Sequence, residues 1–284
     1  MYTFGSLFAG IGGIDLGFER AGLECKWQVE IDDYATKVLE KHWPSVKRWR
    51  DVKAFPPEDK QDWNVDVIAG GFPCQDISVA GKGAGLNGER SGLFFEIIRV
   101  ARQVRPRAIV LENVSALLVR GMGSVLGELA EIGFDAEWHC IPAAGVGAPH
   151  RRDRVFIIAY SKHDGSHGDG KDEQKCEREE MGRSQFAGGD GSNWNVADPD
   201  NKQRKRSEQK TLLRQSTLQR QFRRSCEGIG KQWSVEPNVG RVANGVPARV
   251  DRLKCLGNAV VPQVAEVVAK ILLEKLEELD ASST

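Results

Sequence analysis

Charge imbalance is absent from this sequence: 40 Lys and Arg stand against 40 Asp and Glu in 284 residues, so net charge names no partner. Clustered cysteines are absent too. Cys25, Cys74, Cys140, Cys176, Cys226 and Cys255 are scattered, with no C-x-x-C pair. That disfavours a disulfide framework and a zinc knuckle alike. His163, His167 and Cys176 lack a fourth partner at a familiar spacing, and no metal is expected. No secretory h-region follows a basic start, and no apolar run reaches membrane-spanning length. A soluble, cytoplasmic, monomeric protein without a membrane partner is therefore expected. No internal repeat is present.

What is there begins with order. Residues 1–160 alternate short apolar runs with amphipathic ones. SLFAG, VDVIAGG (65–71), AIVLENV (108–114) and RVFIIAY (154–160) predict strands, and DDYATKVLEKH and LFFEIIRVARQV predict helices. In the second helix Leu93, Ile97, Val100 and Ala101 share one face, and Pro106 stops it. Continuous apolar strands between amphipathic helices imply an α/β fold with a mostly parallel sheet covered on both faces. After Tyr160 the texture changes. Residues 161–238 are poor in apolar runs, and 202–231 carry ten Lys or Arg against two Glu. Such a segment reads either as a long surface insertion or as a basic surface that meets phosphates. Order returns at 239–284, where Val264, Val267, Val268, Ile271, Leu272 and Leu276 mark one face of a long helix.

The opening FGSLFAGIGGIDLGFERAG runs from an apolar strand through Gly10, Gly12 and Gly13 into a helical pattern. Strand, glycine turn and helix suit a Rossmann-like nucleotide site. The dinucleotide fingerprint G-x-G-x-x-G fails, because its third glycine would fall on Asp15. Glu30 ends a second short strand about 20 residues on, where an acid takes a ribose hydroxyl pair in such folds. Asp51 ends a third candidate strand. An adenosine-containing ligand without a pyrophosphate fits, and S-adenosylmethionine is the obvious one.

Cys74 follows Gly-Gly-Phe-Pro just past the carboxyl end of a buried strand, the edge where open α/β sheets place ligands. A structural cysteine more often sits within a strand or helix face. FAGIGG, GGFPCQ, LENV, HRRDRVFIIA and LGNAVVPQVAE, in this order, resemble the motifs of DNA (cytosine-5) methyltransferases of bacterial and phage type. The match spans residues 1–160 and about 238–284. The resemblance implies a Rossmann-like S-adenosylmethionine-dependent methyltransferase sheet formed by 1–160 and 239–284, with 161–238 as a small variable target-recognition region.

What the resemblance implies is C5 methylation of cytosine in a specific double-stranded DNA site, with base flipping, in restriction-modification or phage DNA protection. A companion restriction endonuclease would then be a partner. Cys74 would add to ring C6, making an enamine of a ring otherwise too poor a nucleophile at C5. Glu112, at a strand end, would engage N3 as a carboxyl of raised pKa. Arg154 would hold the cytosine O2, and Arg152 would support Cys74 and a phosphate. No side chain is an evident base for the C5 proton, which leaves water. Phe8, Ala9, Gly10, Gly12, Gly13, Glu30, Ile31, Asp51, Val52, Pro73, Leu93, Asn258 and Ala259 would line the cofactor. Ser78, in a glycine-rich loop (75–92) expected to close over the flipped base, matches a phosphate-contacting position. Arg204, Lys205 and Arg206 would meet DNA phosphates. His150 stands where the family has Gln. Two alternatives remain: an RNA cytosine-5 methyltransferase, from which the Pro-Cys-Gln setting departs, and a catalytically inactive DNA-binding homologue.

Overall fold

Seven strands form one sheet in the order β3-β2-β1-β4-β5-β7-β6. They are β1 (Thr3–Leu7), β2 (Glu24–Val29), β3 (Lys47–Trp49), β4 (Val67–Gly71), β5 (Ala108–Val114), β6 (Phe134–Pro142) and β7 (Asp153–Ser161). The computed structural model of the chain describes residues 1–56, 63–73, 92–161 and 249–282. Strands β1 to β5 pair in parallel, whereas β7 runs antiparallel to both β5 and β6. The order 3-2-1-4-5 reverses direction between β1 and β4 and makes the fold Rossmann-like α/β, with its switch point at the glycine turn.

The helices among the described residues are α1 (Gly13–Arg20), α2 (Asp33–His42), α3 (Leu93–Val104), α4 (Leu117–Arg120), α5 (Met122–Glu131), α6 (Arg249–Asn258) and α7 (Pro262–Ser282). Successive strand residues face opposite ways, and here both faces are dry. Ile68, Ile109, Leu111, Val155 and Ile157 join one core with α3 and α5. Val67, Ala69, Val110, Phe156 and Ile158 join the other with α1 and α7. This double burial is why the central strands read as continuous apolar runs.

The amphipathic faces read from sequence are the buried ones. Ile97, Val100 and Ala101 of α3 are buried, and Leu93 packs on the same core at its rim. All six apolar positions named for the last helix are buried too. Stretch 250–281 contains an 18-residue window of mean hydropathy 1.4. The chain there is broken between Asn258 and Pro262, and α7 buries its apolar face against α1 and the sheet, as a core helix does. Contact with α1 is close because its facing residues are glycines. A Cβ on Gly17 would fall 2.5 Å from both Ala265 Cβ and the Pro262 carbonyl oxygen.

Strand β6 was not among the strands expected. Its sequence FDAEWHCIP buries only its end positions Phe134 and Ile141, because it lies at the sheet's edge. An edge strand needs no apolar period, so none marks it.

Candidate active site

The carboxyl ends of β1 to β5 and the amino end of the antiparallel β7 share one edge of the sheet. Beyond β1 the chain turns at Phe8 (φ 55), Gly10 (φ 57) and Gly12 (φ 82) before α1 begins at Gly13. Left-handed backbone suits glycine and strains phenylalanine. Glu30, just past β2, holds this turn: its Oε2 accepts from the Gly10 N–H at 2.7 Å and its Oε1 from the Asp32 N–H at 2.8 Å. Each oxygen keeps a second lone pair. Ile31 beside it is 70% exposed. Asp51 is exposed and caps a 3₁₀ turn, Val52–Ala54, through the Lys53 N–H, while Val52 is buried. Asp32 caps α2 and pairs with Lys254 of α6 at 2.7 Å.

Asp15, the residue that defeats the dinucleotide fingerprint, is fully buried. It accepts from Gln28 Nε2 at 2.8 Å and from Ser6 Oγ at 3.2 Å. Burial raises its pKa to about 6. Gln28 in turn accepts from Arg48 at 3.0 Å. This polar chain fixes α1 to β1, β2 and β3 behind the glycine turn.

On the other side of the switch point, Gly71 of β4 lies opposite Glu112 of β5, and a Cβ there would stand 3.0 Å from Glu112 Oε2. Glu112 is nearly buried, and that burial raises its pKa to about 7 against the pull of Arg154 and Arg152. Val114 pairs with Arg154 across the β5–β7 ladder. Glu112 and Arg154 are therefore diagonal neighbours on one face. Arg154 Nε is 2.8 Å from Glu112 Oε1. The contact is an ion pair without an aligned hydrogen bond, since Oε1 has no hydrogen-bond partner. Asn113 Nδ2 donates to the Phe72 carbonyl at 3.3 Å, and its Oδ1 accepts from the Val114 N–H at 2.8 Å. It thus ties β5 to the turn that leads into Pro73.

Arg152 has φ 37. Its guanidinium donates to the carbonyls of Gly257, at 2.7 Å, and of Ala259. Asn258, between them, ends α6 and is exposed. Phe8 and Leu93 are partly buried on one core, and Pro73 is half-buried at the end of the described turn.

The structure thus gathers Phe8, Ala9, Gly10, Gly12, Gly13, Glu30, Ile31, Asp51 and Val52 on the β1–β3 side, and Pro73, Glu112 and Arg154 on the β4–β7 side. Cys74, Ser78, Arg204, Lys205, Arg206 and positions 162–238 lie outside the described residues. Sequence reading assigned no task to Asn113, Asp32 or Lys254. The only signal for Asn113 was its place inside the LENV motif.

A family model described as C-5 cytosine-specific DNA methylase matches residues 2–246. The Type II methyltransferase M.NgoBI of Neisseria gonorrhoeae is 36% identical over 165 residues, 57% of this chain and 51% of that protein. M.Eco47II of Escherichia coli is 38% identical over 170 residues, 56% of this chain and 39% of that protein. The match thus takes in about half or less of these relatives' lengths. A crystal structure of a mutant DNMT2 from Spodoptera frugiperda is 25% identical with a TM-score of 0.49, covering 61% of this chain and 54% of that one.

Proposed function

Because this chain belongs to the C-5 cytosine-specific DNA methylase family, we propose that it transfers a methyl group from S-adenosylmethionine to C5 of cytosine in a specific double-stranded DNA site. The observation that carries this reading is Glu112: a buried carboxyl with pKa about 7, at the ligand edge, beside a cation on the neighbouring strand. A carboxyl that is protonated near neutrality can donate to a ring nitrogen.

The β1–β3 side fits the cofactor. A Cβ at Gly10 would meet nothing within 4 Å, so there is open room beside the turn's backbone. Glu30 would take the ribose hydroxyls with its remaining lone pairs, and Ile31 offers an exposed apolar face to the adenine. S-adenosylmethionine, when bound, supplies an electrophilic methyl group. The chain's residues do the rest. The Cys74 thiolate adds to C6 of a flipped cytosine, and the C5–C6 π pair becomes nucleophilic at C5. Glu112 donates its proton or hydrogen bond to N3, drawing electrons the same way. Arg154 orients the base at O2. Methyl transfer would leave the donor as a neutral thioether; water then takes the C5 proton, N3 returns its proton to Glu112, the C6–S bond breaks and the thiolate returns.

Residues 1–160 and 239–284 would form the catalytic domain and 161–238 the target-recognition region. There Arg204, Lys205 and Arg206 would join Ser78 in contacting phosphates. The relatives' Type II names support a restriction-modification setting with a companion endonuclease. Incubating the protein with labelled S-adenosylmethionine and mixed DNA and RNA tests the whole reading. Label should enter duplex DNA as 5-methylcytosine at one recurring site. Label confined to RNA, or no transfer to either, would overturn it.

Glu30→Ala should weaken S-adenosylmethionine binding by about 1.5–3 kcal/mol, the usual loss for hydrogen bonds to a charged group. DNA affinity should change little. Calorimetric titration with unchanged cofactor affinity would move the ribose site elsewhere.

A further inference from the structure

We propose that Arg152 is a positioning residue: it clamps the turn between α6 and α7, and so fixes Asn258, to the amino end of β7. One side chain would then set the cofactor side of the site relative to the base side. The role of Asn258 rests on the cofactor reading above, whereas the clamp itself does not.

The chain between Asn258 and Pro262 is three residues long. The last carbonyls of a helix have no partner within it, and a cation at that end is favoured by the helix dipole. Arg152 meets this need from another element. Its Nη2 reaches the carbonyls of Gly257 and Ala259, one on each side of Asn258. A planar guanidinium suits such a double acceptor, and an ammonium on a flexible stem suits it less well.

Two further features single out this position. Arg152 adopts left-handed backbone, φ 37, which a β-carbon disfavours. Glycine would relieve that strain but would lose the guanidinium, so the side chain is what the position needs. Among the described residues α6 is also held by polar side-chain contacts with the start of α2, Lys254 to Asp32 and Arg252 to Tyr34. Lys254 is 59% exposed, and exposed pairs hold little. Arg154, which pairs with Glu112, lies two residues along the same segment, so any shift of the clamp reaches the base-activating pair.

This task differs from the thiolate and phosphate support that the family resemblance implies, and experiment separates them. Hydrogen exchange followed by mass spectrometry on the cofactor-free protein reads the clamp without any activity. Arg152→Lys and Arg152→Ala should both speed exchange in 255–261, and both should weaken S-adenosylmethionine binding about tenfold. DNA affinity and its salt dependence should stay at wild-type values. In a double-variant cycle, Arg152→Lys with Asn258→Ala should bind the cofactor no more weakly than Asn258→Ala alone. Unchanged exchange in both variants would overturn the clamp. Wild-type exchange in Arg152→Lys, with DNA binding lost only in Arg152→Ala, would overturn it in favour of phosphate contact. Faster exchange with unchanged cofactor affinity would overturn the link to Asn258.

Discussion

Cys74→Ser is expected to lower methyl transfer by roughly 10³-fold or more, as loss of a nucleophile that acts as a unit with its neighbours does. Fold and cofactor binding should survive. A serine hydroxyl at neutral pH offers no useful anion, whereas a thiol beside a cation is pushed toward thiolate. The described cysteines are poor rivals. Burial and the nearby Asp15 carboxylate push the Cys25 thiol far up, and burial also raises Cys140 and Cys255. Cys74 lies one residue past Pro73, whose preceding carbonyl is held by Asn113. Duplex DNA with 5-fluorocytosine at the target should trap the wild-type protein, because fluorine blocks the elimination that releases the thiolate. An adduct mapped by peptide sequencing to Cys176 or Cys226, or near-normal turnover in the serine variant, would defeat this mechanism.

The parts of the site legible in the sequence were those tied to a local pattern. LFFEIIRVARQV reads as a helix because its period and Pro106 agree, and α3 spans those residues. AIVLENV reads as a strand for its unbroken apolar run, and β5 spans it. Glu30 and Glu112 stood out as acids ending such runs. What was not legible joins distant segments through backbone groups. Arg152 meets Gly257 across 105 positions, and Asn113 meets Phe72 across 41. Neither bond leaves a period or a spacing. Asp15 was visible only as a missing glycine, since its burial depends on Ser6 and Gln28 arriving from two strands.

Glu112→Gln should lower methyl transfer about 10²–10⁴-fold, the usual share of a positioned acid, and it should also change the pH profile. An amide can donate to N3 but cannot deliver a proton. With a free-protein pKa of about 7, the protonated fraction of Glu112 falls tenfold per pH unit above that value. The wild-type kcat/KM for DNA, which reports the free protein, should therefore decline above pH 7. That limb should vanish in the glutamine variant. Stability carries the same signature with a definite sign. Between the ordinary glutamate value of 4.5 and about 7, the folded state binds the proton more tightly than the unfolded one. Stability therefore falls as pH rises through that window, by on the order of 3 kcal/mol for such a shift. Glu112→Gln removes this share of the slope and leaves the share that Asp15, raised to about 6, adds in both proteins, so the variant should lose less stability between pH 5 and pH 8 and be the more stable protein at pH 8 while being the worse catalyst. Denaturant titrations at pH 5 and pH 8 measure this. Parallel losses of stability in wild type and variant would assign the slope to another group, and an alkaline limb persisting in the variant would take N3 activation away from Glu112.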